Sequence, residues 1–96
     1  MDILILHEQT YTDDDIYWFQ RGFALSHTYH YEGAIEAFRM AVELNDNYEK
    51  AWYNLAGNYL NNGEHEKAKE TFEIALRKFP DEPMADLAKE VLAQLS

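Results

Sequence analysis

The chain has 96 residues, 47% of them hydrophobic, and its 18 acidic and 8 basic side chains give a net charge of −10. That length limits it to one small domain with a modest core, and the hydrophobic share is that of a folded chain, not a disordered one. The charge repels phosphate backbones and anionic lipid surfaces, which argues against nucleic acid or membrane as the partner, and the absence of cysteine rules out a disulfide framework or a thiolate zinc site.

The N-terminus reads MDILILHEQ. Its apolar run Ile3-Leu4-Ile5-Leu6 is too short for a secretory core, and no Lys or Arg precedes it. No stretch approaches the ~20 apolar residues of a membrane span. A cytoplasmic protein is expected, with residues 1–14 as a leading segment that is extended or docked on the helical part of the chain. Asp13, Asp14 and Asp15 supply a cap and negative charge where a helix begins. Trp18, Gly22 and Leu25 form the stripe of that first helix. Ala34, Ile35, Phe38, Ala41 and Val42 form a second, followed by the turn cluster Asn45-Asp46-Asn47.

The third predicted helix places Trp52, Leu55, Ala56 and Tyr59 at i, i+3, i+4 and i+7. Asn61-Asn62-Gly63 closes it, because Asn and Gly tolerate the left-handed conformation that ends a helix. Ala68, Phe72, Ala75, Leu76 and Phe79 mark a fourth helix, which Pro80 stops for want of an N–H. Pro80-Asp81-Glu82-Pro83 opens the last helix with Asp81 as the expected N-cap. Met84, Leu87, Ala88, Val91, Leu92 and Leu95 are its apolar residues.

A shift of 34 residues superimposes Trp18 on Trp52, Ala34 on Ala68, Phe38 on Phe72 and Ala41 on Ala75. Glu32 and Glu66, and Glu36 and Glu70, fall in the same register. The expected units are therefore residues 15–48 and 49–82, with 83–96 as a capping helix. The spacing Trp-x2-Leu-x3-Tyr, Ala-x3-Phe-x2-Ala, Pro resembles the tetratricopeptide repeat. The second unit supplies Trp52, Leu55, Tyr59, Ala68, Phe72, Ala75 and Pro80, with Ala56 where the family has Gly. The first keeps Trp18, Gly22, Ala34, Phe38 and Ala41, but has Arg21 for Leu, Leu25 for Tyr and Asp46 for Pro. The resemblance implies an all-α, right-handed stack of helical hairpins, a superhelix of two repeats plus a C-terminal capping helix. Small Ala34 and Ala68 mark the close crossings of each pair, Phe38 and Phe72 fill the space beside them, and Trp18 and Trp52 bury large area against the same wall.

In that family the first helix of each pair lines a concave side. Carried onto this sequence, the lining is Ile16, Phe19, Phe23, Ser26 and His27, then Lys50, Tyr53, Gly57, Leu60 and Asn61, then Met84, Leu87 and Val91. The protein-binding residues expected from it are Ile16, Phe19, Phe23, His27, Lys50, Tyr53, Leu60, Met84 and Leu87. Some family members clamp a C-terminal carboxylate with two Asn and several cations. Here only Asn54 matches, and Phe19, Phe23, Met84 and Ala88 hold the other places. An apolar or amphipathic segment of a protein partner is the better fit, with Phe19, Phe23 and Tyr53 as anchors. The alternative is a scaffold whose apolar surface is covered by its own leading segment, or by that of a second copy in a homodimer, since two repeats fall short of the three usually needed for stability.

Catalysis is not expected. Ser26 and Ser96 lack the setting of a nucleophile elbow, the four Gly residues form no phosphate loop, and a ladder this small has no deep pocket to shift carboxylate pKa values. His27 and His30 stand at i, i+3 near Glu32, but two scattered ligands do not make a metal site. No cofactor is implied. The largest basic cluster is Arg77-Lys78, so the aromatic residues lack the positive field a nucleic acid needs.

Overall fold

The computed structural model describes residues 14–95, and helix formation begins at the first of them. Asp14 stands in extended conformation, and its carboxylate accepts from the backbone N–H groups of Ile16 and Tyr17 at 2.9 and 3.3 Å. It thereby caps α1, Asp15–His27, and satisfies donors that have no partner inside the helix. Four more helices complete the order: α2 is Tyr31–Leu44, α3 is Glu49–Asn61, α4 is His65–Lys78 and α5 is Ala85–Leu95. Among the described residues there is no strand. The expected leading segment, apart from Asp14, lies outside the described residues.

Successive helices pack in order, α1 on α2, α2 on α3, α3 on α4 and α4 on α5, and α1 also touches α3. The result is the expected all-α stack of helical hairpins. Its core is built where the repeat register places small and aromatic residues together. Ala34, Phe38 and Ala41 of α2 are fully buried, as are Ala51, Tyr53 and Ala56 of α3 and Ala68 and Ala75 of α4. The hydrophobic effect drives this burial, and the alanines let backbones approach so that the aromatic rings fill what remains. At Gly22 the approach is closest, since a Cβ there would sit 2.9 Å from the Phe38 ring.

Two hairpins close in one way. After α1, the Tyr29 and His30 N–H groups donate to Ser26 O and Leu25 O, and after α3 those of Gly63 and Glu64 donate to Leu60 O and Tyr59 O. Both turn residues take positive φ, 64° at Tyr29 and 81° at Gly63. The left-handed conformation is natural for Gly63 and costs Tyr29 energy. Between the hairpins, Asn45 Oδ1 accepts from the Asn47 N–H at 3.1 Å, the Asx turn expected of the Asn45-Asp46-Asn47 cluster.

Two expectations are corrected. Trp18 and Trp52 are only partly buried and pack against the edge of the core. The Trp52 indole N–H donates to Asp46 O at 2.9 Å, so this ring pins the inter-repeat turn instead of entering the core. Asp81 is not the cap of the last helix. The chain makes a turn after Phe79 and the Ala85 N–H donates to Glu82 O, so α5 starts four residues beyond Asp81.

Candidate functional site

The face of interest begins with an aromatic stripe on α1. Ile16, Phe19, Phe23 and His27 recur on one side of the helix, the spacing that aligns side chains along it. Phe19 is half-buried, tilted against Phe38 with ring centroids 5.5 Å apart and stacked on Tyr48 at 5.0 Å. Phe23 stacks on Phe19 at 6.1 Å and lies 4.3 Å from the His27 ring. The His27 Nδ1–H donates to Phe23 O at 2.9 Å, which fixes the imidazole beside the phenyl ring. The stripe thus has a foot in the core at Phe19 and two apolar side chains in solvent, Ile16 at 53% and Phe23 at 47% exposed.

On α3 the same register positions are Lys50, Tyr53, Gly57, Leu60 and Asn61. Lys50 is exposed and Leu60 packs partly into the core. Gly57 carries no side chain, and a Cβ built there meets nothing within 4 Å. An open notch therefore lies at the α3 position equivalent to Phe23.

Tyr53 departs from its expected place on the surface. It is 0% exposed, and its hydroxyl donates to Phe79 O at 2.8 Å and lies 3.3 Å from Ala75 O. Ala75 O also accepts from the Phe79 N–H at 2.7 Å, so the phenol adds a second donor at the end of α4, and this pairing lets its hydroxyl lie inside the core. Burial raises the Tyr53 pKa above its usual 10.0, and the Glu82 carboxylate adds to the rise. Tyr53 is therefore support for the face and cannot be reached from it. Tyr48 is likewise raised, by burial first and then by Asp15 and Asp14.

On the last helix Met84 is partly buried against the core and Leu87 is 58% exposed. Of the nine residues expected to bind, Ile16, Phe23, His27, Lys50 and Leu87 are exposed, Phe19, Leu60 and Met84 are half-buried, and Tyr53 is inside. Sequence spacing did not single out Asn58, which is 3% exposed on α3; its Nδ2 donates to Asn54 O at 2.8 Å and its Oδ1 has no partner. It lies seven residues after Ala51 and three after Leu55, on the buried side of α3, so the spacing could have found it although its polar side chain did not suggest it.

The imidazoles of His27 and His30 are both engaged locally, His30 Nδ1 lying 2.8 Å from Thr28 Oγ1. Among the described residues no three His, Asp or Glu side chains are placed to hold a metal ion, and no helix is long and apolar enough to cross a membrane.

Residues 29–95, from the α1–α2 turn to the end of α5, match the tetratricopeptide repeat family. The chain belongs to that family. Tetratricopeptide repeats generally mediate protein–protein interaction, and the family is typically non-enzymatic. Comparison with curated proteins gives no match. In this tetratricopeptide repeat protein α1, with its exposed aromatic stripe, lies before the matched region.

Proposed function

We propose that this tetratricopeptide repeat protein is a non-catalytic, cytoplasmic adaptor that binds an apolar face of a helix or extended peptide along Ile16, Phe19, Phe23 and His27 of α1, with Leu87 of α5 at the far side. The observation that carries it is Phe23. This ring stands 47% exposed, yet it is stacked on Phe19, which is anchored to Phe38, and the equivalent position of α3, Gly57, carries no side chain. A preorganised aromatic ledge lets a partner side chain bury apolar area at little ordering cost. Exposed apolar surface of this kind marks a contact with something that covers it. Lys50, exposed on α3, gives the ledge a polar border.

The test is a titration of the isotope-labelled chain with a leucine-faced amphipathic helical peptide. Amide shifts should concentrate at Ile16, Phe23, Gly57 and Leu87, and Phe23→Lys should remove them while leaving the helical circular dichroism intact. Shifts confined to the outer faces of α2 and α4 would refute the assignment of the binding face.

A further inference from the structure

The N-terminal ends of α1 and α3 and the approach to α5 meet at one edge of this face, and that edge is acidic. Three contacts bring it together. The Asn45 Nδ2 donates to Asp15 Oδ2 at 2.9 Å, which ties the start of α1 to the end of α2. The Phe19–Tyr48 stack ties the floor of the ledge to the residue that precedes α3. The Tyr53 hydroxyl ties α3 to Phe79, just before the turn that leads to α5. Asp14 and Asp15 therefore border the ledge from α1, and Glu49 and Glu82 share a surface hollow of about 290 Å³ with Asp81. Among the described residues two cations stand at this edge, Lys78, which lines the hollow and lies over the Phe79 ring at 5.6 Å, and Lys50 at the start of α3. Against Asp14, Asp15, Glu49, Asp81 and Glu82 they leave the carboxylates in excess.

We infer that the occupant of the apolar ledge is a partner segment with an apolar face and Lys or Arg at the end that meets Asp14, Asp15, Glu49 and Glu82. This rests on the ledge being the binding face, as proposed above, and adds the chemistry of what binds there. The acids have a local use as helix caps and first-turn charges, but the parallel first helices of the repeats gather them on one side of an exposed apolar strip. Charge complementarity then selects among occupants. A second copy would bring another net charge of −10 against the first. The chain's own leading segment has Asp2, Glu8 and Asp13 and no Lys or Arg. The leading segment supplies no lysine or arginine, and a second copy brings its 8 basic residues only together with 18 acidic ones, whereas a basic-ended amphipathic segment supplies both halves.

The probe is a synthetic helical peptide with a leucine face, made with lysines or with glutamates at one end and titrated into the full chain by fluorescence anisotropy at low salt. The lysine form should bind roughly ten-fold tighter than the glutamate form. The double substitution Glu49→Gln with Glu82→Gln should erase most of that preference. The same charge change away from this edge, Glu70→Gln with Glu73→Gln on the exposed side of α4, should leave it within about two-fold. Equal binding of the two peptides, or equal effects of the two double substitutions, overturns the charge inference while the ledge stands, provided Phe23→Lys still abolishes binding. Binding that survives Phe23→Lys overturns the ledge itself. A requirement to remove residues 1–10 before the lysine form binds would make the leading segment the occupant. A concentration-dependent molecular mass lost with Phe23→Lys would make a second copy the occupant. Either outcome overturns the inference.

Discussion

Glycines at 22 and 57 sit one register position apart in helices α1 and α3 and do opposite things. Gly22 lets α1 close onto α2, and a methyl there would stand 2.9–3.0 Å from three carbons of the Phe38 ring. That ring is 0% exposed and has nowhere to move, so Gly22→Ala should destabilise by about 1–3 kcal/mol, as overpacking does. Gly57 faces open space, so Gly57→Ala adds helix propensity without a clash and should stabilise by roughly 0.5–1 kcal/mol. Urea unfolding of the two variants reads both signs, and the same sign for both would contradict the packing described. Tyr53 adds a pH dependence. Its folded-state pKa is raised above 10.0, so the neutral phenol contributes its full stability below about pH 10 and loses it as pH rises through the folded value. Tyr53→Phe should cost about 1 kcal/mol at neutral pH, because the hydrogen bond from the buried hydroxyl to Phe79 O is lost, and it should flatten the alkaline loss expected of the parent chain in thermal melts above pH 10. Register alone puts this tyrosine in the binding face, because its position in the repeat is a lining one. The hydrogen bonds that turn it inward run to the end of a different helix, and spacing within α3 carries no information about them.

At the scale of the helices, most of the architecture was legible in the residues, for a physical reason that also explains the exceptions. The pattern Ala34, Phe38, Ala41 and its copy Ala68, Phe72, Ala75 specify the interior because size and apolarity there are dictated by how closely two helices cross. The turns and ends were less legible. Asp81 looked like a cap by composition, but the chain needs a turn after Phe79 before α5 can lie on α4, and that shifts the start to Ala85. The stripe Trp18, Gly22 and Leu25 marked α1 correctly, though only Gly22 is fully buried and both flanking side chains stop at the edge of the core. The clearest mismatch between repeats is at the hairpin turns. Tyr29 stands where the second repeat has Gly63, with φ at 64° and a side chain 77% exposed whose ring lies edge-on to Tyr31, centroids 6.2 Å apart. Little packing opposes its removal, and the left-handed backbone costs an L side chain about 1–2 kcal/mol. Tyr29→Gly trades that cost against greater freedom in the unfolded chain and should stabilise by roughly 0.5–1 kcal/mol net. A fall in the melting temperature of this variant would show that the exposed ring has a packing role the structure does not display.

For the molecule as a whole, charge opposes what packing achieves. With 18 acidic against 8 basic residues, folding gathers excess negative charge into a small volume and the compact state repels itself. Local pairing offers limited relief. The Lys67–Glu64 ion pair, at 3.4 Å, lies on a side chain 62% exposed, where such pairs contribute little. At about 0.01 M salt the screening length is roughly 30 Å, so carboxylates on neighbouring helices feel one another, and at about 0.15 M it falls to roughly 8 Å. Raising sodium chloride across that range should therefore stabilise the fold, by about 1 kcal/mol, a rise of roughly 4–8 °C in melting temperature for a domain this small. Glu73→Lys, on the exposed side of α4 and distant from the ledge, should reproduce a part of that gain at low salt and lose its advantage at high salt. The same salt should weaken capture of a basic-ended segment at the Glu49 and Glu82 edge, so stability and binding are expected to move in opposite directions along one titration. Parallel movement of the two would mean that the peptide is held by the apolar ledge without electrostatic help, and that the acidity serves only to keep the chain in solution.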